Sequence, residues 1–230
     1  MEKAKIMITK DGPYLVSGDL PIDKQIIGIG KEGEPEKWVK GKKYPVKSCA
    51  LCRCGQSKKQ PFCDGAHSKV GFDGTETASR ESFDKQASVM DGPTLRLKDA
   101  PELCAVARFC HRAGGTWELT KHSNDPKARK IAIEEACNCP SGRLVECDKK
   151  TEKVLEQKFE KSISLVEDPQ KKVSGPMWVK GGVPIESSDG FVYEVRNRVT
   201  LCRCGKSKNK PFCDGSHIEE NFNDGDESLK

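Results

Sequence analysis

Apolar positions in this chain come in short runs broken by glycine and proline. GPYLVSGDLPI (12–22) and GPMWVKGGVPI (175–185) share one pattern, G-P-x-x-V-x-G-x-x-P-I. Downstream of each, a tyrosine (Tyr44, Tyr193) opens an alternating run, YPVKSCALCRC or YEVRNRVTLCRC. Period-two alternation bounded by Gly and Pro predicts strands. A third such opening is DGPTLRLKD, near residue 95. DPKARKIAIEEA (125–136) predicts a helix, with Asp125 as cap and Pro126 in the first turn. PELCAVARF also fits an amphipathic helix, in which Cys104 would be a small buried apolar residue. The tail NDGDESLK carries no apolar pattern and reads as disordered.

The paired openings belong to a longer internal repeat. CRCGQSKKQPFCDGAH (52–67) returns as CRCGKSKNKPFCDGSH (202–217). The expected organisation is a first module over 1–78, a different middle segment over 79–159, a second module over 160–222 and a disordered tail over 223–230. The expected fold is small, β-rich α+β.

Composition changes the picture in one respect. Of 230 residues only 35% are hydrophobic and 33% are charged, so one large apolar core is not expected. Twelve cysteines point to cross-links or metal as a source of stability. The start, MEKAKIMITKDGPY, lacks the apolar run of a signal peptide, and no stretch approaches the ~20 apolar residues of a membrane span. A cytoplasmic, reducing setting is therefore expected, where clustered thiols bind metal more often than they pair. The net charge is +5. Its positive residues gather near the repeats as Lys42, Lys43, Lys47, Arg53, Lys58 and Lys59, then Arg196, Arg198, Arg203, Lys206, Lys208 and Lys210. That favours acidic protein partners over nucleic acid, because no aromatic residues interleave the basic runs. A plainly solvated surface is the alternative.

The repeated phrase has ligand spacing. Cys52 and Cys54 are two apart, so on an extended segment both thiols point the same way. Gly55 permits a turn, and Asp64 can accept the first free N–H groups of a helix. Cys63 and His67, four apart, would share one helical face. Three cysteines and one histidine suit tetrahedral zinc. They equally suit a [2Fe–2S] cluster, which takes two ligands per iron. Disulfides give no reason for the matched His67 and His217.

C-x-C-x2-S-x3-P-x-C-D-G-[SA]-H resembles the signature of the CDGSH iron–sulfur (mitoNEET-like) family, and both copies match it throughout. The match runs through Ser57, Pro61, Asp64, Gly65 and Ala66, and through Ser207, Pro211, Asp214, Gly215 and Ser216. The resemblance implies that Cys52 and Cys54 bind the inner iron of a [2Fe–2S] cluster and Cys63 and His67 the outer iron. Cys202, Cys204, Cys213 and His217 would repeat this. It also implies a β-cap with exchanged strands, here an intrachain pseudo-two-fold unit formed by the two modules. A neutral histidine in place of a thiolate raises the potential, and its protonation would make the cluster acid-labile. Unlike the outer-mitochondrial members, this chain is expected to carry no membrane anchor.

The middle segment resembles a divergent single-cluster ferredoxin domain. Cys104 and Cys110 hold the outer positions of a ligand run, Ala107 stands where its middle cysteine would be, and Cys139 precedes a proline. Cys104, Cys110 and Cys139 could hold a [3Fe–4S] cluster, or a [4Fe–4S] cluster completed by Cys137, His111 or water. Cys49 and Cys147 read as spare thiols and His122 as solvent-exposed. No catalytic constellation is evident. RAGGTW lacks the context of a nucleotide loop, and Glu134 and Glu135 read as solvated neighbours. The expected function is electron transfer, cluster transfer, or both, by a monomer. Its partners would be redox or cluster-acceptor proteins, with no nucleic acid or membrane. The alternative is a redox-silent zinc adaptor.

Overall fold

The computed structural model describes residues 3–46 and 48–230. Lys47, one of the basic residues above, and the first two residues of the chain lie outside the described residues.

The fold is small and β-rich, with few helices. The first module supplies β1 (Lys5–Ile8), β2 (Tyr14–Ser17), β3 (Ile22–Ile29), β4 (Pro35–Tyr44) and β5 (Cys49–Leu51). Two single-turn helices follow, α1 (Ala66–Lys69) and α2 (Phe83–Gln86). The middle segment supplies β6 (Ser88–Asp91), β7 (Leu95–Asp99), α3 (Thr116–Lys121), α4 (Pro126–Asn138) and β8 (Leu144–Asp148). The second module supplies β9 (Ser162–Asp168), β10 (Val173–Lys180), β11 (Ile185–Glu186) and β12 (Arg198–Leu201).

Both larger sheets mix strands from the two modules. One runs β11-β1-β2-β5, the other β12-β10-β9-β3-β4. Thus β11 pairs parallel with β1 (Ile6 opposite Ile185), and β3 pairs parallel with β9 (Ile22 opposite Ile163). The alternating pattern accounts for the shared interior. Ile6, Ile8, Tyr14, Val16 and Leu51 from the first module pack with Ile163, Leu165, Met177, Val179 and Leu201 from the second. Neither half has enough apolar residues for a core alone, and pooling them yields one continuous core.

The middle segment is a separate layer. Antiparallel β6-β7-β8 carries α3 and α4 on one face, burying Leu95, Leu119 and Ala132 in one patch and Leu97, Ala136 and Leu144 in the next. Asp125 caps α4 as the sequence predicts, accepting a hydrogen bond from the Lys127 N–H at 3.0 Å. PELCAVARF forms no amphipathic helix. After a short 3-10 turn at Pro101–Leu103 it runs as loop, with Val106 and Arg108 in the left-handed region. Glu135 is not solvated beside Glu134. Its carboxyl is fully buried, accepts the Thr116 hydroxyl at 2.7 Å, and is raised by burial to about 7. His122 is exposed, as expected.

Residues 223–230 are not a disordered tail. They close on the core through Asp224 and Asp226, which pair with Lys24 of β3, and through buried Leu229. Their polar composition misled because their partners are buried cations. Among the described residues no helix is long and apolar enough to cross a membrane.

Candidate metal centres

Each CDGSH loop is built the same way. β5 and β12 end at buried Leu51 and Leu201, which pair with Phe62 and Phe212. Around each bridge the Cys52 and Cys202 N–H groups donate to Pro61 and Pro211 at 2.8 Å, and the Cys63 and Cys213 N–H groups donate to Ala50 and Thr200 at 2.9 Å. The Ser57 and Ser207 hydroxyls clamp the loops on the Phe62 and Phe212 carbonyls at 2.6 and 2.7 Å. Asp64 and Asp214 then hold the turn before the histidine, accepting from Ala66 and Ser216, both at 3.0 Å. Cys63 itself is not helical. It sits on the segment entering α1, and only His67 lies in that turn, because Gly65 (φ 84°) bends the chain between them.

The ligand atoms nonetheless come together in pairs. Cys52 and Cys54 sulfurs are 3.8 Å apart, as are those of Cys202 and Cys204. Cys63 Sγ lies 3.4 Å from His67 Nδ1, and Cys213 Sγ lies 3.5 Å from His217 Nδ1. A tetrahedral metal with sulfurs at ~2.3 Å spaces them ~3.8 Å apart. Each pair therefore suits one metal atom. Among the described residues, however, no three of these cysteine and histidine atoms lie within 4.8 Å of one another. A single ion would draw all four that close. The donor set fits two metal atoms, one per pair, better than one.

Electrostatics prepare the inner pair. The hydrogen bond from Cys204, together with the Ser207 and Gly205 N–H groups, lowers Cys202 to about 7, whereas the same sulfur contact and burial raise Cys204. Burial holds His217 neutral, lowering it to about 4, so its ring keeps a lone pair for a metal at neutral pH. Between the paired cysteines sit Arg53 and Arg203. Arg53 donates to the Thr9 carbonyl at 3.2 Å and to that of Gly74. Arg203 donates to Gly175 and Val166 at 3.0 Å, and pairs with Glu167 and Asp224. Both side chains, with Arg198, are buried. They therefore leave the basic surface predicted from sequence, because their guanidinium groups serve internal carbonyls and carboxylates. The repeated arginine inside C-R-C-G was the overlooked signal.

The two loops touch back to back. A Cβ on Gly55 would stand 2.5 Å from the Cys204 carbonyl oxygen, and one on Gly205 2.6 Å from that of Cys54. Tyr14 of β2 crosses between modules, its hydroxyl lying 2.9 Å from the Cys202 carbonyl.

Cys104, Cys110 and Cys139 line one cavity in the middle segment, with Ala107 and Arg143. Among the described residues their sulfurs form no triad within 4.8 Å of one another, a separation within which a single ion would draw them. Cys137 does not join them, its thiol donating to the Leu155 carbonyl at 3.4 Å, and His111 lies outside the lining. The acidic triad Glu167, Asp224 and Asp226 is paired with Lys24 and Arg203 and is a salt-bridge network. Cys49 and Cys147 stand apart, both raised by burial, Cys49 to about 11.

Residues 11–68 and 174–218 match the family described as iron-binding zinc finger CDGSH type. Residues 90–149 match the family described as divergent 4Fe-4S mono-cluster. Among curated proteins, the chain is 49% identical over 35 residues to the CDGSH iron-sulfur domain-containing protein 2 homolog of Drosophila mojavensis, covering 15% of this chain and 27% of that one. It is 51% identical over 35 residues to the homolog of Drosophila ananassae, covering 15% and 26%. The CDGSH iron-sulfur domain protein of Drosophila melanogaster is 49% identical over the same length, again 15% and 26%. The chain spans about a quarter of the length of these relatives. No solved structure matches it. The chain is an iron–sulfur protein that carries the CDGSH iron-binding motif twice, on either side of a divergent 4Fe–4S segment.

Proposed function

We propose that the chain holds two [2Fe–2S] clusters and a third, cysteine-bound cluster, and that it carries electrons or clusters between proteins without catalysing a reaction of its own. The observation that carries this is the pairing of ligands. Cys52 with Cys54 and Cys202 with Cys204 would hold the inner irons, Cys63 with His67 and Cys213 with His217 the outer ones. Cys104, Cys110 and Cys139 would hold the third, and with Ala107 in place of a fourth cysteine a [3Fe–4S] cluster suits them best. Bound clusters of these types supply reversible one-electron chemistry.

The chain's residues set the terms. A histidine ligand at each site, His67 and His217, brings no negative charge where a fourth thiolate would. The apposed loops at Gly55 and Gly205 put the inner pairs back to back, which suits a relay. The matching strand orders, with β3 and β11 exchanged, support an intrachain pseudo-two-fold cap. Exposed Lys58, Lys59, Lys206 and Lys208 around the loops suit acidic partner proteins. Zinc as the occupant is disfavoured by the separation of the pairs.

A redox titration followed by visible absorbance tests the reading. His67→Cys and His217→Cys should each lower the potential of one [2Fe–2S] centre by on the order of 100 mV or more. Unchanged potentials in both variants would remove the role given to the histidines.

A further inference from the structure

The two CDGSH motifs are nearly identical, yet their outer ligands meet different surroundings. Cys63 and His67 are partly exposed. Cys213 and His217 are only 3% and 4% exposed. What covers them is the middle-segment loop around Val106. A Cβ on Gly215 would collide with the Val106 side chain and stand 3.5 Å from the Cys104 carbonyl, whereas the equivalent Gly65 has nothing within 4 Å. The loop is clasped in place. Arg108 forms a two-pronged pair with Asp168 of β9, at 2.6 and 3.1 Å, and donates to Gln170 at 3.0 Å. Asn209, inside the second motif, donates to the Glu102 carbonyl at 2.8 Å. Val106 is held at φ 53°, a conformation β-branched residues avoid, so packing against the second site outweighs local preference there.

We propose that the two CDGSH sites have divided roles. The first gives up its cluster to a thiol-bearing acceptor protein, and the second is sealed by the Val106 loop and keeps its cluster. This rests on the iron–sulfur reading above. Transfer from the first site is a ligand substitution. The iron bonds to Cys63, His67 and the inner cysteines break, acceptor thiolates take their place, and no electron moves. The three released thiolates take up protons from solvent. At the second site an acceptor cannot reach the outer pair while the loop is clasped.

The test uses the full chain with its clusters and the iron chelator bipyridyl under anaerobic conditions. Visible bleaching is followed together with N-ethylmaleimide labelling read by mass spectrometry. The expected result is labelling of Cys52, Cys54 and Cys63 in a fast phase, and of Cys202, Cys204 and Cys213 at least about tenfold more slowly. Arg108→Ala should accelerate only the slow phase, and Asp168→Asn should do the same should the first variant fold poorly. Equal labelling of Cys63 and Cys213, or a slow phase untouched in both variants, overturns the division of roles. The same labelling contrast measured on the cluster-free chain reads the cover by itself. Purified chain without iron and sulfide overturns the iron–sulfur reading, and the transfer role with it, even where that contrast persists.

Discussion

Gly205→Val should empty both CDGSH sites, not one. Gly205 sits at φ 81°, and its Cα hydrogen faces the Cys54 carbonyl of the other module. A β-branched residue there costs ~1–2 kcal/mol for the left-handed conformation alone. The collision adds more, because the atom 2.6 Å from the new Cβ is backbone and cannot rotate away. The total should exceed about 3 kcal/mol. The nearest relief is to push Cys54 outward, which spoils the first thiol pair as well as the second. Gly55→Val should behave alike, since its Cβ would meet the Cys204 carbonyl at 2.5 Å. Gly65→Ala is the control. Its φ of 84° is just as left-handed, but it has open space, so it should cost only ~1 kcal/mol. Melting temperature and cluster content report both effects. Loss confined to the second site in Gly205→Val would show that the loops do not constrain each other.

Arg203→Met should destabilise the chain by about 3–5 kcal/mol at neutral pH. Arg203 and Lys24 are the two cations facing Glu167, Asp224 and Asp226, with Arg203, Lys24, Glu167 and Asp224 all nearly or fully buried. Removing the guanidinium leaves three carboxylates to one ammonium. The pH dependence has a definite sign. Burial already raises the Glu167 carboxyl above its usual range. A raised carboxyl contributes stability that is fully present below its unfolded value, near 4.5, and is lost as pH rises through its folded value. The penalty in Arg203→Met should therefore shrink as pH falls toward about 4.5. Glu167→Gln placed in the same chain should recover much of the loss at neutral pH, because the buried charge is then gone. Chemical denaturation across pH checks this. A pH-independent penalty would mean that packing around the arginine, not charge, carries the effect.

How much of this was readable beforehand depended on how local each feature is. The ligands of the CDGSH sites lie within sixteen residues of each other, so spacing and repetition exposed Cys52 to His67 and Cys202 to His217 together. Cys104, Cys110 and Cys139 were singled out instead by their resemblance to a ferredoxin ligand run, and they line one cavity whose lining includes neither Cys137 nor His111. Helix α4 was legible from its own cap. The exchange of β3 and β11 was not derivable from pattern, because parallel pairing of Ile22 with Ile163 and Ile6 with Ile185 joins distant segments. Burial of Arg53, Arg198 and Arg203 ran against the usual preference of arginine for the surface, and only their internal partners explain it. The tail was misread for the complementary reason, its aspartates being partners of buried Arg203 and Lys24. The unequal exposure of His67 and His217 was hidden entirely. Two matching motifs gain different surroundings from a loop that neither contains.

Under the proposed function, metal pairs and not single ions occupy the CDGSH sites. Iron, acid-labile sulfide and zinc per chain, with a visible spectrum, test it most directly on anaerobically purified protein. Two [2Fe–2S] clusters with a [3Fe–4S] cluster require about seven iron and about eight sulfide in coloured protein, or about eight iron if the third is [4Fe–4S]. About four of each would leave the two CDGSH clusters in place and the cysteines of the middle segment without one. Colourless protein holding stoichiometric zinc and no sulfide would contradict the account.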